Sequence, residues 1–563
     1  MKTYSYLKEI ISYKEVYGVD YDLKKALELI TNIPSVSMLY HLSHINICLY
    51  LGNISEANAR QNTILESYFE HCNQSMVVKI KNAIAESEKR KTWPTIFWGY
   101  SNLLFIDIIL NNHNNLPLRN FTIEETEKFL DAYLLINSVT NNRFTISKNE
   151  INEAAKNDEL GKFLLPYFIY QRDYISNLDF GNQINRSIAF FEYLESDDVF
   201  KMYIELYYAN SQVKGYRELL YNILTTFSQV GVEGTVFERR HQISFSTLKD
   251  LVNLGYIETL AINPLIAESR FDADFKSIRQ HPLYKIGPTE YLIMDINFLI
   301  DQLYKAQVFA FKAFIESKGY LENFLSVKGK DFMEDIYFRK IMLRCFPKYI
   351  TLDGDHATKD NGDELCDYYI RDDNKVLLIE FKDVLLNAEV KVGADQKKIY
   401  AELDKKFIRN QKNKPKGVTQ LHNAIVYLEN NDIRQDVLSD METLEIYPTV
   451  VYTDQSFGND GLNEVFNQKF SDLIKVSNLN KLVVRGVTFI NLNYFEVHEE
   501  YFLTGLIDIF DFLDGYQGYV KNPGLSNTSF EVYSRAYLRE NNIPDLPRNT
   551  LLTQNLQQII PQL

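Results

Sequence analysis

Only four cysteines occur in the 563 residues, at Cys48, Cys72, Cys345 and Cys366. None lies close enough to another to form a C-x-x-C pair, so neither a zinc site nor a disulfide framework is expected. No Gly-x-x-x-x-Gly-Lys-Ser/Thr loop is present, which argues against nucleotide hydrolysis by this chain. The nine histidines form no H-E-x-x-H motif and no other metal-binding cluster. The start, from Met1 to Lys8, lacks the apolar core of a signal peptide. The nearest thing to a membrane span, from Thr95 to Leu110, is short and carries Ser101, Asn102 and Asp107, so it reads as a buried helix. Basic charge is in the minority as well. There are 60 Lys and Arg against 75 Asp and Glu, a net charge of -15, which excludes a generally basic nucleic-acid coat and confines any nucleic-acid contact to a local patch. The expectation is a soluble, cytoplasmic protein with no membrane partner and material for about three domains.

Residues 1–255 read as almost entirely helical. Helix-period apolar runs recur around Tyr6–Ile11, Met38–Leu51, Ile96–Leu110, Phe163–Ile175 and Val199–Ile223. The stretch from Leu51 to Ala59 looks like the turn of a tetratricopeptide hairpin, with Gly52 at the tight point, but no 34-residue period accompanies it. An irregular helical domain that senses a partner, or self-associates, is the expectation. Between 256 and 325 the texture changes to a short strand pair and a helix, read as a connecting segment. Residues 326–515 bear strands, including Pro448–Tyr452 and Val487–Asn491, then a helix over Glu499–Leu513. From Tyr516 to the end, with Pro523, Pro544 and Pro547, loops and a loose tail are expected.

The informative chemistry lies in an acidic hairpin. One strand runs from Asp367 to Arg371, and the other from Val376 to Lys382, with Leu377, Ile379 and Phe381 pointing away from Glu380 and Lys382. Side chains alternate along a strand, so Glu380 and Lys382 share a face. A four-residue loop at Asp372–Lys375 pairs residue 371 with 376 and residue 367 with 380. Asp367 then sits beside Glu380 with its carboxylate turned the same way. A one-residue slip would bury a carboxylate in the core, at a large desolvation cost. The acids Asp353, Asp355, Asp360 and Asp363 surround Gly354 and Gly362 and read as a solvated loop.

Asp367 followed by Glu380-Phe381-Lys382 on an apolar strand resembles the signature of the PD-(D/E)xK superfamily, the restriction-endonuclease-like phosphodiesterases. An E-x-K triplet alone is common; the order of elements carries the resemblance. Upstream, Lys328–Leu343 resembles the family's first helix, with Glu334 inward. Downstream, Lys416–Leu428 resembles the helix after the core strands, with Gln420 near the site. Cys366 stands where the family name has proline. The resemblance spans 326–515 and implies an α plus α/β chain: a large N-terminal all-helical region, then a restriction-endonuclease-like α/β/α domain with a mixed central sheet. It implies a catalytic set of Asp367, Glu380, Lys382, Glu334 and Gln420, with metal held by Asp367, Glu380 and the Phe381 carbonyl. Crowded oxygen ligands favour Mg²⁺ or Mn²⁺ over zinc. Such an ion polarises the scissile phosphate and acidifies a water, which Lys382 would orient or deprotonate.

The most basic stretch follows at once. Nine basic residues stand against three acidic ones between Lys391 and Lys416. Ile399, Leu403, Phe407 and Ile408 fall on one helical face, and Pro415 and Gly417 end the run. Lys391, Lys397, Lys398, Lys405, Lys406, Arg409, Lys412 and Lys416 are the candidates to grip a phosphate backbone without reading sequence. A solvated helix face is the alternative. The functional expectation is a Mg²⁺-dependent deoxyribonuclease, by analogy in bacterial defence against foreign DNA. The alternatives are a helical interaction protein with an inactive nucleic-acid-binding domain, and an RNA-cleaving nuclease.

Overall fold

The computed structural model describes residues 8–51, 57–90, 92–142, 148–157, 159–175, 180–228, 242–246, 251–262, 274–393, 395–436, 443–522, 524–544 and 550–560. The tetratricopeptide-like turn around Gly52 lies outside them, as do Pro523 and Pro547. The chain forms two compact units, one of residues 1–145, 174–320 and 554–563, the other of 146–173 and 321–553. Among the described residues no helix is long and apolar enough to cross a membrane.

The first unit is mostly helical. Its helix Gly99–Asn111 is the apolar run noted above, and two of its polar residues are bonded internally. Ser101 pairs with Thr140 at 3.0 Å, and the Asn102 amide donates to the Leu42 carbonyl at 3.2 Å. Those bonds make burial of the polar groups tolerable. Lys8–Ile10, expected within a helix, is instead a strand paired in parallel with Trp93–Thr95. A tertiary partner there overrides local periodicity. The run Val199–Ile223 is split into Lys201–Asn210 and Tyr216–Ser228, because Gln212 turns the backbone to a φ of 56°.

Of the segment 256–325, expected as a link, residues up to 320 belong to this unit's body and the rest to the second unit. Leu283–Lys285 and Glu290–Ile293 form the expected strand pair at the centre of a four-stranded sheet, flanked by Ala261–Ile262 and Ile243–Ser244. Asn46 locks the segment in place: its amide donates to Asp295 at 2.7 Å, and its oxygen accepts from the Ile296 N–H at 2.8 Å. Burial pushes the Asp295 carboxyl up to about 6, while its bonds to the Phe298 N–H and Asn46 pull the other way.

The second unit is built on a mixed sheet. Its strands are β1 (Ile350–Asp353), β2 (Tyr368–Asp372), β3 (Lys375–Lys382), β4 (Leu444–Tyr452), β5 (Leu482–Val484) and β6 (Thr488–Asn491). The spatial order is β5-β4-β3-β2-β1, with β6 also on β4. The first three strands are antiparallel neighbours, whereas β4 runs parallel to β3, β5 and β6. Parallel pairing needs crossovers. These are α2 (Gln396–Phe407) and α3 (Val418–Leu428) before β4, and α4 (Leu462–Lys475) after it. Pro448 cannot donate to a ladder; it stands where β4 changes its outer neighbour, between Ile446 on β5 and Thr449 on β6.

Both faces of β3 are covered, and only Lys375 escapes full burial. Val376 and Leu378 pack with Ile399, Leu403 and Phe407 of α2 and Leu421 and Ile425 of α3. On the other face Phe381 stacks on Phe338 at 4.5 Å. Phe338 belongs to α1, a continuous run of Phe324–Val327, Lys328–Phe338 and Arg339–Cys345, whose middle part winds as a π-helix.

The helix expected over Glu499–Leu513 is two helices, α5 (Leu492–Thr504) and α6 (Ile509–Val520). Gly505 stops α5 in the left-handed region at a φ of 75°, where glycine is favoured. Asp508 starts α6 by accepting from the N–H groups of Phe510 and Asp511. The tail is not loose. It forms α7 (Phe530–Glu540) and a further helix, Thr550–Ile559. Phe530 sits edge-on against Phe512, and Tyr533 lies against Tyr516, so aromatic burial orders the segment.

Candidate metal centre

The hairpin register is the expected one. Arg371 faces Val376 and Tyr368 faces Ile379, which sets Asp367 opposite Glu380. The turn is tighter than expected: Asp372 and Lys375 still pair, leaving Asp373 and Asn374 as the loop, with Asp373 at a φ of 49°. Aspartate tolerates that region because its side chain bonds locally.

Lys382 joins the two acids of the hairpin. Its ammonium donates to Glu380 Oε2 at 2.6 Å and to Asp367 Oδ2 at 3.3 Å. The Phe381 N–H donates to the same Asp367 oxygen at 2.6 Å. Glu380 is 1 % exposed, Asp367 7 % and Lys382 8 %. Three ionisable groups this deep are stable only as a mutually bonded set. Phe381 therefore has two observed tasks, an N–H for Asp367 and a ring for Phe338; the metal contact expected of its carbonyl is a separate matter.

Two further carboxylates converge from other elements. Glu334 comes from the π-helical part of α1, and Glu364 from the loop between β1 and β2. Oxygens of Glu334, Glu364 and Asp367 all lie within 4.8 Å of one another. Glu364 is absent from the sequence reading. It lies three positions before Asp367, so strict alternation places them on opposite faces, and the bend at Asp367 reunites them. Gly354 helps hold it: a Cβ there would meet Glu364 Oε1 at 2.0 Å. Arg339 of α1 secures this loop, bonding Asp355 at 2.6 Å, Asp335 at 2.7 Å and Asp353 at 3.5 Å. The acids around Gly354 thus include loop anchors, and Glu364 beside them faces the centre.

The charge balance is unfavourable without a cation. Glu334, Glu364, Asp367 and Glu380 stand against Lys382 and Lys330, the latter bonded to Glu334. Burial, then the Asp367 charge, pushes the Glu380 carboxyl up to about 8. The same two causes push Glu334 up to about 7, and raise Glu364. Burial alone would lower Lys382, but Asp367 and Glu380 hold it above the ordinary lysine range. An all-oxygen donor set of this charge fits a hard divalent cation such as Mg²⁺ or Mn²⁺. The sign for stability follows. Glu380 binds its proton more tightly when folded, so the metal-free protein should lose stability as pH rises from about 4.5 to about 8. Thermal melting in EDTA across that range checks this, and Glu380→Gln should flatten the slope.

Several of the other expected site residues have partners of their own. Gln420 accepts the Gly417 N–H at 2.8 Å, closing the first turn of α3. Asp454, just past the end of β4, accepts the Ser456 N–H at 3.0 Å in a turn. Helix α2 buries Ile399, Leu403 and Phe407 as anticipated but ends at Ile408, before Pro415. Asn410 stops it by accepting from the N–H groups of Lys412 and Lys414. Lys397, Lys398, Lys405, Arg409 and Lys412 are exposed, and Lys406 and Lys416 half-buried. Lys391 is buried, on the short helix Ala388–Gly393, and so is not placed like the others. No protein-family model matches the chain, and no curated protein or solved structure is found to be similar to it.

Proposed function

We propose that the second unit is a Mg²⁺- or Mn²⁺-dependent phosphodiesterase of the restriction-endonuclease-like kind, acting on DNA. The supporting observation is the meeting of Glu334, Glu364 and Asp367 within 4.8 Å, beside a buried Lys382 bonded to Glu380 and Asp367. Glu334, Glu364, Asp367 and Glu380 are the residues that would hold the cation. When bound, the ion supplies Lewis acidity and makes water a competent nucleophile near neutral pH. The protein's own groups supply the rest. Lys382 carries positive charge to the position where negative charge develops on the phosphorane, and it orients the attacking water. The bond from the Phe381 N–H fixes the Asp367 carboxylate, so the acid need not reorganise during the reaction.

The test is incubation of the full chain with circular DNA, linear DNA and single-stranded RNA in Mg²⁺, Mn²⁺ or EDTA. Cleavage of DNA only with metal is the expected result; activity that survives EDTA refutes the assignment.

Helix α2 is the proposed backbone grip. Lys405 and Lys406 lie 3.4 Å from Glu402, and Lys398 lies 3.8 Å from Asp395. Exposed pairs of this kind are worth about 0–1 kcal/mol, so a phosphate competes with them readily. Reversing Lys397, Lys398, Lys405 and Lys406 to glutamate should weaken DNA binding alike at all sequences and flatten its salt dependence. Titrations at several salt concentrations measure both. An unchanged slope would mark α2 as a solvated face.

A further inference from the structure

A buried ion pair of the second unit lies directly beyond Lys382. Lys328, the first residue of the π-helical part of α1, donates to Asp383 Oδ2 at 2.6 Å. Their side chains are 9 % and 11 % exposed. Asp383 directly follows Lys382. Its other oxygen accepts the Thr453 hydroxyl at 2.7 Å, and Thr453 follows Tyr452, the β4 residue paired with Lys382.

The placement matters more than the pair's energy. Glu334 is carried by α1, whereas Asp367, Glu380 and Lys382 are carried by the β2–β3 hairpin. Lys328 lies six residues before Glu334 on one helix, and Asp383 is one residue beyond Lys382. The pair is therefore a polar link between the helix that brings Glu334 and the strand that brings Glu380. Apolar packing of Phe338 on Phe381 can slide at little cost, because dispersion is not directional. A buried, doubly bonded carboxylate cannot, because any displacement leaves a charge unpaired away from water.

We infer that Lys328, Asp383 and Thr453 are positioning residues that set the distance of Glu334 from the hairpin acids, and so tune metal affinity without touching the metal. This rests on the metal-dependent reading above.

Mn²⁺ binding to the full chain, followed by calorimetry and by the electron paramagnetic resonance signal of the ion, separates the two. Lys328→Met and Asp383→Asn are expected to weaken Mn²⁺ binding about tenfold. Lys328→Arg, which keeps the charge, should recover most of the loss. In a Glu334→Gln background the same Lys328→Met change should alter affinity by less than about twofold, because the ligand it positions is already gone. Thr453→Val removes one hydroxyl and keeps the shape; it should give a smaller loss with the same dependence on Glu334, and it serves if Lys328→Met does not fold. Equal losses with and without Glu334 would reduce the pair to general packing and overturn the inference. So would wild-type affinity in Lys328→Met and Thr453→Val. A wild-type chain that binds no Mn²⁺ overturns the metal reading itself, and this inference with it.

Discussion

Asp367→Ala and Glu380→Ala are expected to abolish metal-dependent cleavage, with losses on the order of a thousandfold or more. Asp367 is the common element of the centre: it lies within 4.8 Å of Glu334 and Glu364, and it accepts from both Lys382 and the Phe381 N–H. Its removal would take away a proposed ligand and leave the other carboxylates without a fixed neighbour. Both variants should also bind Mn²⁺ weakly. Lys382→Met should differ, with cleavage lost but Mn²⁺ binding largely kept, because no ligand is removed. It leaves Glu380 buried without its 2.6 Å partner, and breaking a buried pair commonly costs about 3–5 kcal/mol. That cost is softened here, since burial and the Asp367 charge push the Glu380 carboxyl above its ordinary range and favour its neutral form. Single-turnover cleavage and Mn²⁺ calorimetry on the three variants decide the matter. Full activity in Glu380→Ala would remove the hairpin from the chemistry.

A fragment beginning at residue 321 is expected not to fold, while the complete second unit, with residues 146–173 joined by a flexible linker to 321–553, should. The sequence alone suggests a self-sufficient module from about 326. Yet Leu165 and Ile169, far upstream, are fully buried in the core that holds Val376, Leu378 and Phe407. Large-to-small changes at such positions cost about 2–5 kcal/mol each, against a typical domain stability of about 5–15 kcal/mol. Removing the whole helix Leu160–Ile175 loses both residues at once. It also loses the bond from the Gln396 amide to the Phe163 carbonyl at 3.1 Å, and that from the Tyr400 hydroxyl to the Lys162 carbonyl. The fit is close: a Cβ on Gly461 would meet the Gly161 carbonyl oxygen at 2.4 Å. Circular dichroism and urea unfolding of the two fragments measure the difference. A cooperative transition in the shorter fragment, with wild-type midpoint, would contradict the expectation.

How much of this could be read from the chain differs from element to element. The alternation along β3 was legible because side chains alternate along any strand. From it came the face shared by Glu380 and Lys382 and, through the hairpin register, the position of Asp367. Helix α2 was legible from the spacing of Ile399, Leu403 and Phe407, and α3 from the resemblance of Lys416–Leu428 to a helix that follows the core strands. Failures came where a distant partner decided the local form. Lys8–Ile10 is a strand only because Trp93–Thr95 lies beside it, and α7 is ordered by Phe512 and Tyr516. Glu364 was illegible because its approach depends on a bend and on the space above Gly354, neither of which has a sequence period.

The sequence by itself determined the local half of the site: which residues of one hairpin share a face, and which helices carry an apolar stripe. These follow from backbone geometry within a few residues, independent of the rest of the fold. Only the tertiary structure decided which separate elements meet. It brought Glu334 on a helix and Glu364 on a loop to Asp367 and joined Lys328 to Asp383. It also placed Leu165 in a core more than two hundred residues downstream. Such meetings are settled by burial and by the pairing of charges away from water, which depend on the packed whole.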